Sequence, residues 1–426
     1  MRRLSSRTAS LLATAALLLT LAGCGARTGG SAAAANCSGS GAGRSGADTV
    51  KIVSSLPMTG SSLGQTQTIV NAICMAVEER GNKAGNLNVV YEPLDDATPA
   101  KGSWDEGKEA ENANRAINDG DVVAYIGTFN SGAAKVSIPI LNRANLVMVS
   151  PANTYPGLTK PGKGEANEPD VYYPTGKRNY TRVVPADDLQ GAVGAKQAKE
   201  LGAKRVYVLD DSELYGRGLA TVFHQEAKRR GLDVSPPDRP DSIDRNASDY
   251  RSLALKVRQA NPDLVYFGGI TQSNAGKLWQ DLRAALGKDV KLMGPDGMFE
   301  QAFLEAAGDA AIDTYVTFGG LPVKNYQGKA QQWLQRYRDK YKSDPEVYAV
   351  YGYDAASAVL DAIAKVNKKD RATIAEAVMN TKDHDGALGT WSFDRNGDTT
   401  LTNLSVSQVK GPKIDQVQFL TMMTAD

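Results

Sequence analysis

Val122-Val123-Ala124-Tyr125-Ile126, followed by Gly127-Thr128-Phe129-Asn130 and then Ser131-Gly132, is an unbroken apolar run that stops on a turn and opens a helix. Five apolar residues without polar alternation predict a strand covered on both faces, as in a parallel sheet. The sequence strand, turn, helix predicts one βαβ unit. Ser131 then stands at the helix N-terminus, where a hydroxyl and unbonded backbone N–H groups face an anion.

The same rhythm extends in both directions. Before and around this unit, strands are predicted at 50–54, 87–91, 122–126 and 146–149, separated by helices near 64–80, 106–118 and 132–143. A loop rich in Pro, Gly and Lys occupies 151–177. Beyond it, strands at 180–184, 205–209, 264–267, 291–293 and 314–317 alternate with helices near 187–201, 216–230, 249–259 and 273–285. The pattern predicts an α/β chain of two doubly wound parallel-sheet lobes. Helical stretches at 326–341, 349–366 and 371–379 have no strand between them and are predicted to return to cover the first sheet. The tail, at 389–393, 401–408 and 415–419, reads as short strands joined by turns.

Composition narrows the function. With 49 basic and 48 acidic residues the net charge is +1, which provides no field for nucleic acid and no polybasic patch for lipid headgroups. Arg2, Arg3 and Arg7 precede an apolar segment at 11–21 that is too short to span a bilayer. It ends in Leu21-Ala22-Gly23-Cys24, which resembles the lipobox of lipid-modified secreted proteins. Residues 1–23 are therefore expected to be a signal peptide and Cys24 a lipid anchor. The Gly-, Ala- and Ser-rich residues 24–48 are expected to be a flexible tether. In an oxidising compartment the two other cysteines, Cys37 and Cys74, are able to pair, and unpaired thiols are the alternative. Cys74 falls on the flank of the helical stripe formed by Ile69, Val70, Ile73, Ala76 and Val77.

Catalytic sets are not assembled. The two histidines, His224 and His384, lie in a helix pattern and a polar turn, so no zinc set and no hydrolase triad is expected. Gly276-Lys277 lacks the hydroxyl residue of a phosphate loop, and the turn at 394–398 lacks the glutamate that closes a calcium loop. No cofactor or metal is expected.

What remains suits a small zwitterion. Ser131, the Thr154 hydroxyl and the Ala152 backbone come to one carboxyl edge of the predicted sheet, where open α/β sheets bind ligands. Asp296, in Gly294-Pro295-Asp296-Gly297 after strand 291–293, presents a carboxylate to an ammonium. Tyr215, after strand 205–209, is placed to cover it. Ser131 and Thr154 also suit a helix cap and a turn, and aspartate is common in Pro-Asp-Gly turns for backbone reasons.

Taken in order, Pro57-Met58-Thr59-Gly60, Ile126-Gly127 with Ser131, Ser150-Pro151-Ala152-Asn153-Thr154 with Leu158-Thr159, Tyr215-Gly216-Arg217-Gly218, Tyr266-Phe267-Gly268-Gly269 and Gly294-Pro295-Asp296-Gly297 resemble the branched-chain amino acid binding proteins of ABC importers. The resemblance runs from Val50 to about Leu420. It implies the type I periplasmic binding protein fold, with a hinge of three crossovers near Val183, Gly320 and Trp391. Lobe 1 would comprise 49–183 and 321–390, and lobe 2 184–320 and 391–426. It implies an extracytoplasmic monomer that passes a small-molecule ligand to a membrane permease. A ligand-sensing subunit of a signalling receptor is the alternative use of the same fold. Ser131, Ala152 and Thr154 are then expected to hold an amino acid's α-carboxylate and part of its ammonium, Asp296 the ammonium, and Tyr215 the lid.

The chain departs from that pattern in places. The family commonly has glutamate where Asp296 stands, a tyrosine where Ile270 stands, and an aromatic residue about where Leu63 stands. Ile270 and Leu63 are thus expected in the side-chain pocket. The stretch 160–177, with Tyr172 and Tyr173, looks like an insertion beside the cleft.

Overall fold

The β-branched runs become the inner strands of two separate sheets. The computed structural model describes residues 46–426, so the signal segment, Cys24, Cys37 and most of the tether lie outside the described residues. The first sheet runs, edge to edge, Lys83–Ala84, Leu87–Asp95, Thr49–Leu56, Val122–Gly127, Val147–Ser150 and Tyr180–Arg182. All its pairings are parallel except that of the short edge strand Lys83–Ala84. Every residue of Val122–Gly127 is buried, which explains why this strand carries no polar face. Helices α1 (Leu63–Glu79), α2 (Glu106–Asn118) and α3 (Ser131–Arg143) connect its strands.

The second sheet runs Asp233–Ser235, Arg205–Asp210, Leu264–Gly268, Lys291–Gly294, Tyr315–Phe318, Leu404–Val409 and Val417–Met423. The first five are parallel. The last two form an antiparallel edge, because the few residues between them permit a hairpin and not a crossover. Helices α4 (Asp187–Glu200), α5 (Leu214–Arg229), α6 (Arg251–Gln259), α7 (Ala275–Leu286) and the seven-residue α8 (Gln301–Ala307) belong to this part of the chain.

Residues 180–184 follow the long loop in the rhythm of the later strands, but they begin with Tyr180–Arg182 on the edge of the first sheet, on the lobe 1 side of the crossover that the family resemblance implies near Val183; Met148 pairs with Tyr180 and Ser150 with Arg182. Pro185, without an N–H, cannot prolong the ladder, and the chain leaves for the second sheet. It crosses between the sheets again after Phe318 and between Trp391 and Leu404. Between those two crossings α10 (Ala349–Val366) and α11 (Arg371–Met379) return to the first sheet, and α9 (Gly328–Tyr341) bonds to α1, where Tyr341 Oη donates to Asn71 O at 2.6 Å. Close helix packing needs Gly352 of α10: a Cβ there would stand 2.7 Å from Ile69 Cγ2 of α1.

A buried arginine ties the crossings together. Arg182 is fully buried, and its Nε donates to Asp398 Oδ1 at 2.5 Å. Nη1 donates to Tyr155 O at 2.8 Å and Asn153 O at 3.3 Å, and Nη2 donates to Thr159 Oγ1. Asp398 is presented by the polar turn at 394–398, in which Asp394 Oδ1 accepts from the N–H groups of Asn396 and Asp398.

Cys74 is buried on α1 and is disulfide-bonded; its partner is outside the described residues. Among the described residues no helix is long and apolar enough to cross a membrane.

Candidate functional site

Ser150 ends its strand, and its hydroxyl accepts from the N–H groups of Ala152 at 3.1 Å and Asn153 at 2.8 Å. That turn puts Ala152 and Thr154 on the carboxyl edge of the first sheet. Beside them α3 begins at Ser131, with no side-chain cap from Asn130. Ser131 Oγ accepts from Tyr155 N at 3.3 Å and so keeps its own proton to donate.

Asp296 follows Lys291–Gly294 of the second sheet and is 4 % exposed. Tyr215 Oη donates to its Oδ1 at 2.6 Å, and Tyr348 Oη donates to its Oδ2. The Gly297 N–H donates to Tyr215 Oη at 3.2 Å. Only glycine lets this turn lie so close, since a Cβ on Gly297 would stand 2.9 Å from Ile270 Cγ2 and 3.0 Å from Tyr215 Cε1. Burial pushes the Asp296 carboxyl up from its ordinary value, and the two phenol donors pull it back. Burial also holds the Tyr215 and Tyr348 phenols well above their usual range, so both remain donors.

Ser131, Ala152 and Thr154 from one sheet edge, and Tyr215, Ile270 and Asp296 from the other, line a single cavity. Phe129, Asn130, Gly297 and Tyr348 complete it. Its empty space is about 300 Å³. Leu63 does not line it. That residue opens α1, whose apolar stripe turns to α10, and the apolar wall is made instead by Phe129 and Tyr348, whose rings meet edge-on at 5.6 Å. Neither histidine is there: His224 Nε2 lies 2.9 Å from Pro236 O, and His384 Nδ1 lies 3.2 Å from Asp361 Oδ2.

Nothing in the sequence singles out Asp187, yet it stands directly behind the site. It is the first residue of α4, is fully buried, and its N–H donates to Thr154 O at 2.9 Å. Neither carboxylate oxygen meets a donor at hydrogen-bonding geometry. Burial first, and then the charge of Asp296, push this carboxyl well above the carboxylate range; the Thr154 hydroxyl and Arg182 pull more weakly the other way. An acid in the first turn of a helix has an ordinary dipole explanation, which hides it in the sequence. Tyr348 is equally hidden, because only the return of α10 to the first sheet brings it here.

The stretch 160–177 reaches the second sheet's helices. Glu168 gathers Tyr155 Oη at 2.7 Å, Glu165 N at 2.7 Å and Tyr172 Oη, and Tyr173 Oη donates to Leu158 O at 2.7 Å. From this folded loop Glu165 Oε1 accepts from Arg217 of α5 at 2.7 Å. One turn from Tyr215, Gly218 of α5 lies against the Tyr155 ring so closely that a Cβ would stand 2.7 Å from it.

Comparison with known proteins agrees with this geometry. A family model described as periplasmic binding protein matches residues 49–413. The leucine-, isoleucine-, valine-, threonine- and alanine-binding protein of Pseudomonas aeruginosa is 26% identical over 359 residues, which are 83% of this chain and 87% of that protein. The crystal structure of a leucine-binding protein of Thermotoga maritima has a TM-score of 0.75 and 28% identity, over 88% of this chain and 98% of that one. A solute-binding protein of R. palustris in complex with benzoate shares the fold with a TM-score of 0.70 at 18% identity, over 88% of this chain and 96% of its own. The matched span contains both sheets' contributions to the cavity, and the chain belongs to the periplasmic binding protein family.

Proposed function

We propose that this protein captures an amino acid in the cavity between its two sheets, outside the cytoplasm, and delivers it to an ABC importer. One observation supports this most directly. Neutral donors at one sheet edge and a buried acid at the other converge on the same small cavity, as the two ends of a zwitterion require. The α-carboxylate meets Ser131 Oγ, the Thr154 hydroxyl and the start of α3, while the ammonium meets Asp296. Tyr215, already on Asp296, closes over the ligand, and Ile270 and Phe129 face its side chain. The relatives named for leucine, isoleucine, valine, threonine and alanine favour an amino acid as the solute. Leu21-Ala22-Gly23-Cys24 supports a lipid on Cys24, and the tether over 24–48 keeps the body within reach of a permease.

A thermal-shift screen of the twenty common amino acids at about 1 mM tests the reading. A ligand at 100 times its Kd adds about 2.7 kcal/mol of stability. Failure of every amino acid to raise the melting temperature would refute amino acid capture.

Capture by closure also makes a steric prediction. Gly218→Val drives a side chain into the Tyr155 ring, which belongs to the other side of the cleft. Overpacking of this kind costs about 1–3 kcal/mol, and here it falls on the closed form alone. Calorimetric affinity is expected to fall by roughly tenfold or more, and unchanged affinity would mean that capture does not need this contact.

A further inference from the structure

We infer that Glu168, which lies outside the ligand cavity, is a positioning residue that holds the Tyr155 ring as a latch against α5 and so sets how slowly a captured amino acid leaves. The inference rests on the amino-acid reading above and adds a residue that acts on release and not on recognition.

Three kinds of contact meet at Tyr155. Its backbone serves the site, since its N–H donates to Ser131 Oγ at 3.3 Å and its carbonyl accepts from Arg182 Nη1 at 2.8 Å. Its ring reaches the helix that carries Tyr215: Gly218 of α5 lies against it. Leu214, the half-buried first residue of α5, packs on the apolar cluster that Tyr155 forms with Leu158, Tyr172 and Tyr173. The Tyr155 hydroxyl donates to Glu168 Oε2 at 2.7 Å. Neither Tyr155 nor Glu168 lines the cavity.

The surroundings of Glu168 are shaped around that bond. The residue is 8 % exposed, and its carboxylate accepts from Tyr155 Oη, Tyr172 Oη and the Glu165 N–H. Lys135 Nζ of α3 lies 3.9 Å away. Two glycines leave room for the carboxylate, since a Cβ on either Gly157 or Gly164 would run into Glu168 Oε2. A buried carboxylate persists where its oxygens are bonded, and a charged acceptor holds a phenol more firmly than a neutral one. Burial first, and then Glu168, raise the Tyr155 phenol above its usual range, so it stays a donor.

The latch bears on one state of the cleft. With α5 in place Tyr155 is 4 % exposed, so a hydroxyl deprived of Glu168 is left unpaired. When α5 moves away, the ring loses Gly218 and Leu214 and its hydroxyl meets water. Loss of the carboxylate therefore penalises the closed form and spares the open form that admits the amino acid. A difference of this kind appears mainly in the dissociation rate. Ser131 is spared as well, because it is held by the Tyr155 backbone and not by the ring. The Arg217–Glu165 ion pair beside the latch is about half exposed on both sides and contributes little.

Binding and release kinetics on the mature chain decide the point, with the radiolabelled form of the amino acid that ranks first in the thermal-shift screen as the probe. In Glu168→Ala, release into an unlabelled excess is expected to quicken by about tenfold, with the association rate changed by less than about twofold. The number of binding sites per chain is expected to stay unchanged. Glu168→Gln, whose amide oxygen can still accept from Tyr155 and Glu165, is expected to bring release back to within about threefold of the unmodified protein. Tyr155→Phe keeps the ring, deletes the hydroxyl alone and is expected to quicken release too; it carries the test if Glu168→Ala does not fold. A purely structural role for Glu168 would cost binding sites and melting temperature while the remaining sites release at the unmodified rate. That result overturns the latch and leaves amino acid capture standing, as does release from Glu168→Gln as fast as from Glu168→Ala. Absence of binding by any amino acid overturns capture itself.

Discussion

Arg182→Met is expected to destabilise the folded protein by about 3–5 kcal/mol, the usual cost of removing one partner from a buried ion pair. The guanidinium has no exposure, and the change leaves Asp398 facing a methionine with the Thr159 hydroxyl and a distant Lys160 as its remaining partners. The same change also strips donors from Tyr155 O and Asn153 O, on either side of Thr154 in the candidate site. For a lobe of this size the loss corresponds to a melting temperature lower by on the order of 10 °C, read by differential scanning calorimetry. The double variant Arg182→Met with Asp398→Leu is expected to regain most of it, because no charge is then left unpaired. The Arg182 and Lys160 charges, with hydrogen bonds from Arg182 and Thr159, hold the Asp398 carboxyl below its ordinary value. Its contribution is therefore complete above the unfolded value and is lost as pH falls through the lowered folded value. Arg182→Met should accordingly show a flatter acid limb than the unmodified protein. A melting temperature unchanged by Arg182→Met would mean that the crossings are held by other contacts.

The layered architecture was legible because parallel strands buried on both faces leave a plain mark, as in Val122–Gly127, where no polar residue interrupts the run. Helices with long amphipathic patterns, such as α10 at Ala349–Val366, were legible for the same reason. Sheet membership was less so. Tyr180–Arg182 follows a long loop, and nothing in a strand's own residues says which sheet edge it joins; that is settled by its pairing with Val147–Ser150. The antiparallel edge and the short α8 leave weak patterns, since seven residues give too few turns to show a period. At the site, residues beside strand ends could be read because the carboxyl edge of a sheet is set by topology. Asp187 and Tyr348 could not, because their roles depend on how the crossings bring distant helices to that edge. Leu63 shows the converse: a position next to a motif on the chain need not face the cavity.

Asp296→Asn is expected to weaken amino acid binding by about 2 kcal/mol or more, thirtyfold or more in Kd, and to leave the empty protein at least as stable. The two halves of that result have one cause. Asp296 is nearly sealed from solvent, and burial pushes its carboxyl up from the ordinary value, so in the empty cavity a neutral isostere removes a charge that the fold stabilises chiefly through the Tyr215 and Tyr348 phenols. A bound ammonium reverses the balance, since it needs the negative charge and finds an amide. A carboxyl raised by burial and lowered by an ammonium makes affinity fall as pH drops through the raised value, and Asp296→Asn should lose that share of the pH dependence. Asp296→Glu, which restores the acid that the family resemblance leads one to expect, should keep affinity within about tenfold, because the added methylene shifts the carboxylate without removing it. Calorimetry on the three proteins separates these terms. Equal affinity in Asp296→Asn would remove Asp296 from the ligand site, whereas loss of both binding and melting temperature would assign it a purely structural role.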